Sequence, residues 1–217
     1  MLKNGCESKR SGEQGFTLME MAIVLVVIGL ILGAVSIGKD LQRNAEYRKI
    51  TNKFVGQWAQ AYNQYYERTG VVPGDTVIAP TGRSNVAEDV PAFFEAAGIK
   101  LPRGNGNGSE NIYLYFDKDG LPRQLTITFN SVGMQGSTLN TTETQNLVGN
   151  LMVVDNIAPT LFSVLDGSID GIVDSDDGVF RCAQDLTADV SNEAISLSDE
   201  DGNQKTALTT CFYKMQQ

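Results

Sequence analysis

Apolar residues first fill a whole stretch of this chain and then retreat to one face. From Met21 to Gly38 there are eighteen residues without a charge. A run of that length reads as a helix able to cross a bilayer. Beyond it, Tyr47, Ile50, Phe54, Trp58, Ala61 and Tyr65 recur every three or four residues. That is the period of an amphipathic helix with one buried face. Lys39, Arg43, Arg48, Lys49 and Glu67 fall mostly off the stripe. One helix is therefore predicted from residue 16 to about residue 68, in two parts: an apolar half, 16–38, and an amphipathic half, 39–69. No proline interrupts the apolar half, so Gly29, Gly33 and Gly38 are its points of weakness. The helix should stop at Thr69-Gly70, before the turn signal Pro73-Gly74-Asp75.

The pattern then becomes that of a mixed domain spanning 70–217. Residues 70–110 read as a long connection. Within it a short helix is predicted over Val90–Ala97, capped by Asp89, with Pro91 in its first turn and Gly98 at its end. Gly104-Asn105-Gly106-Asn107-Gly108 reads as a linker, because no lysine follows to make a phosphate cradle. Ile112–Phe116 and Gln124–Phe129 are strand-like and separated by Asp119-Gly120, which predicts a hairpin. Leu147–Val154 fits strand or helix equally, and Pro159 complicates the stretch after it, so 131–165 stays unassigned. Val179–Cys182 and Ala207–Tyr213 are the expected last strands. The fold class is α+β: a long N-terminal helix packed on an antiparallel sheet.

Charge and composition narrow the function. The chain of 217 residues carries a formal net charge of −9. Residues 54–217 hold nine basic and twenty-one acidic side chains, net −12. Such a domain repels phosphate backbones, which argues against nucleic acid as a partner. There is no histidine, which removes Ser-His-Asp and Cys-His catalysis and histidine-ligated zinc. No acid pair is marked out for carboxylate chemistry either. The chain reads as a non-enzyme.

One polar residue does not fit its setting. Glu20 stands at the edge of the apolar run, where a lone carboxylate is costly. It ends the string Gly15-Phe16-Thr17-Leu18-Met19-Glu20. A polar leader, then Gly-Phe-Thr-Leu, then Glu, then an apolar helix resembles the start of a type IV pilin or a type II secretion pseudopilin. The resemblance extends through the helix to about Tyr66; beyond that it is one of architecture. It implies a leader peptide over 1–15, cut after Gly15 by a prepilin peptidase, and N-methylation of Phe16. It implies that Glu20 registers incoming subunits by pairing with the amino terminus of a neighbour, which suits a buried carboxylate met by an opposite charge. It places the chain as a single-pass protein of the bacterial inner membrane before assembly, and in a periplasmic or extracellular filament afterwards. An ordinary signal peptide is the competing reading: Lys3, Lys9 and Arg10 make a basic start, and Ala34-Val35-Ser36 is a small-x-small cleavage site. A simple membrane anchor is another. Both leave Glu20 unexplained. Flanking charge does not orient the helix, since 1–15 carry net +1 and 39–53 net +3.

Of three cysteines, Cys6 lies in the leader. Cys182 and Cys211 remain, an even pair in a domain that would face an oxidising compartment. A disulfide between them is the expectation, stabilising by roughly 3 kcal/mol on the chain-entropy view. Asp166 to Asp177 can also be read as a twelve-residue calcium loop. Asp166, Ser168 and Asp170 take its first, third and fifth places, Gly171 the sixth, Asp174 the ninth and Asp177 the twelfth. Val173 would be the inward apolar residue. Serine in place of an acid, and aspartate in place of the usual bidentate glutamate, depart from the pattern. A plain acidic turn is the alternative. No cofactor is otherwise required.

The leading function is thus a structural subunit that polymerises through its N-terminal helix into a type IV pilus or pilus-like filament, with self, other pilin-like subunits, the prepilin peptidase and the inner membrane as partners. A minor or pilin-like component fits the size of the domain. A pseudopilin of type II secretion is the alternative within that class, and the calcium loop would favour it. A pilus-borne adhesin or binding module is the alternative outside it.

Overall fold

A computed structural model describes residues 16–105, 110–133, 146–175, 177–183, 196–198, 204–206 and 208–216. The predicted leader 1–15 and most of the glycine-rich linker lie outside them. By internal contacts the chain divides into two units, Met1–Gln42 and Arg43–Gln217.

The described part of the first unit is helix. α1 spans Leu18–Lys49, and all residues of the first unit from 16 to 42 are exposed. The helix is unbroken at Gly29, Gly33 and Gly38, where nothing lies within 4 Å of a would-be Cβ. The interruption comes later, in the second unit. Ile50–Val55 is a π-helical segment, after which α2 runs Gly56–Thr69. A π turn accommodates one extra residue in the ladder. Here the N–H of Gly56 donates to the carbonyl of Thr51, and the Thr51 hydroxyl donates back to the Tyr47 carbonyl at 3.0 Å. A Cβ on residue 56 would stand 3.2 Å from the Thr51 oxygen, so glycine eases the turn. The result is a broader buried face: Ile50, Thr51, Phe54 and Val55 are all buried. The stripe expected from the sequence, Tyr47 to Tyr65, is buried throughout. α2 ends with Gly70 in the left-handed region (φ 75°), its N–H donating to the Tyr66 carbonyl.

The stripe packs on a five-stranded antiparallel sheet. Its strands are β1 (Ile112–Phe116), β2 (Pro122–Val132), β3 (Gly149–Ile157), β4 (Phe180–Cys182) and β7 (Thr209–Lys214). They lie in the order β1-β2-β3-β7-β4. A separate pair, β5 (Ser196–Ser198) and β6 (Gln204–Thr206), stands between β4 and β7 in the chain. β1 and β2 form the expected hairpin, with Phe116 opposite Pro122. Alternate residues Leu125, Ile127 and Phe129 face the helix. Trp58, Phe94 and Phe129 form the centre of the core, with ring centroids 5.3 to 6.1 Å apart. Phe94 comes from α3 (Val90–Ala96). Asp89 precedes α3 as expected, but it adopts a left-handed conformation (φ 48°) and its side chain makes no capping hydrogen bond. The expectation of an Asp89 cap is corrected on that point.

The undecided stretch 147–154 is strand from Gly149 onward. Asn150 to Val154 are all buried because both faces of β3 are covered. Met152 and Val154 join the main core, while Leu151 and Val153 meet Val132, Leu147 and Phe212 on the other side. A helix, α4, comes next over Pro159–Ile169, with Pro159 in its first turn. Leu161, Phe162 and Leu165 bury its inner face. The Tyr115 hydroxyl ties this corner, donating to the Asn156 carbonyl at 2.8 Å and accepting from the Ala158 N–H at 2.9 Å.

Both outer strands carry blunted edges. On β1 the Asn105 side chain hydrogen-bonds both the N–H and the carbonyl of Leu114, at 2.6 and 3.0 Å, and Tyr47 donates to the Phe116 carbonyl. On β4 the Asp170 carboxylate accepts from Phe180 N–H, and the Ser175 carbonyl from Cys182 N–H.

Candidate functional site

Two places hold the residues that the sequence singles out: the start of α1 and the segment from α4 to β4.

At the start of α1, Thr17 and Glu20 bond each other reciprocally. The backbone N–H of Thr17 donates to Glu20 Oε2 at 2.7 Å, and the Thr17 hydroxyl donates to the same oxygen at 2.9 Å. The N–H of Glu20 in turn donates to Thr17 Oγ1 at 3.2 Å. This is a capping box: Thr at the cap and Glu three residues on satisfy two N–H groups that a helix start leaves open. Sequence reasoning gave Glu20 only an external role and passed over Thr17. The signal was present as Thr-x-x-Glu. Phe16 is exposed beside them, and Gly15 lies outside the described residues. The helix beyond contains a stretch long and apolar enough to cross a membrane, none of it buried. A helix apolar on every side needs a lipid or protein environment to cover it.

That geometry accords with the comparison against known families. The prokaryotic N-terminal methylation motif matches residues 10–36. The chain carries a prepilin-type methylation motif. Its span covers Gly15, Phe16 and Glu20 and most of the uncharged run. No match was found among curated proteins or among solved structures.

At the second place the cysteine expectation is met. Cys182 and Cys211 form a disulfide. They stand directly opposite each other on β4 and β7. Their neighbours' hydrogen bonds, such as Ala183 N–H to the Thr210 carbonyl, mark theirs as a non-hydrogen-bonded pair, the kind in which side chains approach most closely. Both are wholly buried.

The calcium loop is not formed as the sequence suggested. Asp166 and Ser168 belong to the last turns of α4, so the first positions are helix rather than loop. Asp166 is fully buried, and its Oδ2 accepts from the Asp174 N–H at 2.7 Å. Asp170 Oδ2 accepts from Val179 and Phe180 N–H, both at 3.0 Å. Val173 is exposed rather than inward, and so is Asp177. Only Gly171 behaves as expected, with φ 83° at the turn. Among the described residues no three His, Cys, Asp or Glu side chains are grouped to hold a metal. Asp166 Oδ2 and Asp170 Oδ2 are taken up by backbone N–H groups, so the set as it stands is not that of a calcium loop.

These aspartates act as fasteners instead. Asp166 and Asp170 pin the return from α4 to β4, which brings Phe180 against Phe162 with ring centroids 6.0 Å apart. Burial pushes the Asp166 carboxyl up to about 7; the Asp174 N–H works against this, and the charges of Asp170 and Asp174 work with it.

Proposed function

We propose that this protein is a structural filament subunit: a prepilin-like chain, cut after Gly15, methylated on Phe16 and assembled through its N-terminal helix into a type IV pilus or pilus-like filament. The observation that carries the reading is the methylation motif set on a helix that is apolar and exposed all round. Before assembly the inner membrane covers that helix; in the filament, the same helix of other copies or of related subunits does. The prepilin peptidase is the processing partner. The calcium feature that would have favoured a type II secretion pseudopilin is not available as support.

In this reading Glu20 has two tasks. Within its own chain it caps the helix; between chains its charge pairs with the amino terminus on Phe16 of a neighbour. The two are separable by substitution. Glu20→Gln keeps a capping-box acceptor but not the charge; Glu20→Ala loses both. Each variant is expressed in cells lacking the native copy, and cleaved monomer and sheared filaments are measured separately. Both variants should be cleaved and remain in the membrane, and both should be depleted from filaments. Wild-type incorporation of Glu20→Gln would leave capping as the residue's task and sink the charge-pair role. Mass spectrometry of the membrane form checks processing: the mature chain should begin at N-methyl-Phe16, and a terminus at Ile37 would mean an ordinary signal peptide.

A further inference from the structure

Beyond Gly70 the chain passes through Pro73-Gly74-Asp75, loops out, and returns to meet β2 at the Val86–Phe129 bridge. A cavity of about 260 Å³ lies between this loop and the end of β2. The loop lines it with Asp75, Thr76, Thr81, Arg83 and Asn85, and the strand with Asn130 and Ser131. Ligand pockets are mostly walled by aliphatic and aromatic side chains. None lines this one; every side chain around it carries a hydrogen-bonding group. Thr76, Thr81 and Asn85 are exposed, so a solute can reach it. Its volume falls just under the roughly 300–1,000 Å³ of pockets that take drug-sized ligands, which suits a single small ring.

The walls are fixed to each other. Buried Ser84 donates its hydroxyl to the Pro73 carbonyl and its N–H to Asn150 Oδ1. The Asn150 amide donates in turn to the Gly82 carbonyl at 3.0 Å, and Asn150 stands opposite Ser131 on the sheet. Gly74 (φ 88°) lets the two sides of the loop close up, since a Cβ there would collide with the Asn85 backbone. A cavity held this way needs little ordering when a ligand enters.

The lining chooses against ions. Asp75 is its one acid, and both oxygens are already engaged: Oδ1 accepts from the Thr76 N–H and the Thr81 hydroxyl, Oδ2 from the N–H groups of Thr81 and Gly82, at 2.6 to 3.0 Å. Those bonds use the carboxylate's lone pairs and leave a cation no ligand set. An anion would meet one guanidinium, Arg83, with the Asp75 charge in the same cavity. For an uncharged polar ligand the groups complement each other. Arg83 only donates. The Thr76 and Thr81 hydroxyls give their protons to the Ala79 carbonyl and to Asp75, so toward a ligand they accept. The amides of Asn85 and Asn130 and the Ser131 hydroxyl are of types that do both. A ring bearing hydroxyls all round, each donor and acceptor at once, matches that set.

We propose that this cavity binds a pyranose sugar, with Arg83 donating to ring hydroxyls, Thr76 and Thr81 accepting from them, and Asn85 and Asn130 bridging neighbouring ones. The site lies wholly within the globular unit. It therefore goes beyond the filament reading and does not depend on it.

The test uses the full-length chain in a detergent without a sugar headgroup, since an alkyl glycoside would compete. Saturation-transfer NMR is run with glucose, galactose, mannose and N-acetylglucosamine at millimolar concentration, each as the free sugar and as its methyl glycoside. At least one should receive saturation on its ring protons. The methyl glycosides stand for the end of a glycan chain and the free sugars for a soluble ligand; the tighter-binding form identifies the source. Arg83→Ala/Asn85→Ala should weaken binding by about tenfold or more, as expected for polar groups left without partners, with the melting temperature unchanged. Thr76→Val keeps the side chain's shape and removes its oxygen; it should weaken binding by a smaller factor, and it decides the matter if the double variant does not fold. No transfer to any of the sugars, or transfer that neither variant reduces, overturns the site. Displacement of the sugar by an equal concentration of inorganic phosphate overturns the ligand class.

Discussion

Asp166 gives the globular unit a pH dependence that can be worked out in advance. Its carboxyl is pushed from an ordinary 3.8 to about 7, chiefly by burial. Between those values the folded chain holds a proton that the unfolded chain has released. Stability must then fall as pH rises through this window. The contribution is fully present below about pH 4 and is gone once pH has passed about 7. At 1.36 kcal/mol per pH unit the ceiling is on the order of 4 kcal/mol. Relaxation around Asp170 and Asp174 should bring the observed figure to about 1–3 kcal/mol. Asp75 works in the opposite sense. Burial alone would raise its carboxyl, yet the hydrogen bonds from Thr76, Gly82 and Thr81 hold it below the ordinary range. Its stabilisation is present above about pH 4 and lost on further acidification. A wild-type curve alone would mix these, so the perturbation is Asp166→Asn. Asparagine keeps an oxygen to accept the Asp174 N–H but does not titrate in this range. Urea unfolding of the fragment 43–217 at half-unit steps from pH 4 to 8 supplies the numbers. The difference between the wild-type and variant slopes should be centred below pH 7, with the wild type losing stability relative to the variant as pH rises. Parallel curves for the two proteins would refute the assignment of a buried, neutral Asp166.

Two further outcomes come from the packing. Replacing Cys182 and Cys211 together by serine should destabilise the globular unit by about 3–4 kcal/mol for a loop of this length, read from the midpoint of denaturant unfolding. Trp58→Ala should remove about 3–5 kcal/mol, because the indole is wholly buried between Phe94 and Phe129; Trp58→Phe should lose much less, since the indole N–H has no hydrogen-bond partner among the described residues, and thermal melts of the two variants check the ordering.

The helical parts were legible where burial is one-sided. The stripe Tyr47 to Tyr65 and the β1–β2 hairpin each have a wet face, so period and turn chemistry show through. β3 has none: with Leu151 and Val153 covered on one side and Met152 and Val154 on the other, its sequence is simply apolar. α4 was hidden for a related reason. Pro159 reads as a breaker, but at the first turn of a helix it removes an N–H that had no partner anyway. The π segment leaves almost no trace, because it keeps the apolar stripe and only widens it. At the N-terminus, the string through Glu20 was readable because it belongs to a motif of fixed offsets, the prokaryotic N-terminal methylation motif, rather than to a packing pattern. In the acidic segment, spacing alone carries no ligand geometry. Which way Asp166 and Asp170 turn is decided by α4, and α4 was not foreseen.

The blunted strand edges bear on crowding. Subunits of a fibre sit side by side at a local concentration no free solution reaches. A sheet with open backbone at either border would then be free to zip onto its neighbour, in any register and without end. Asn105 and Tyr47 occupy one border, and Asp170 and the Ser175 carbonyl the other. Edge-to-edge pairing is thereby denied to neighbouring sheets. On the filament reading proposed above, these few hydrogen bonds are a guard against polymerising by the wrong route.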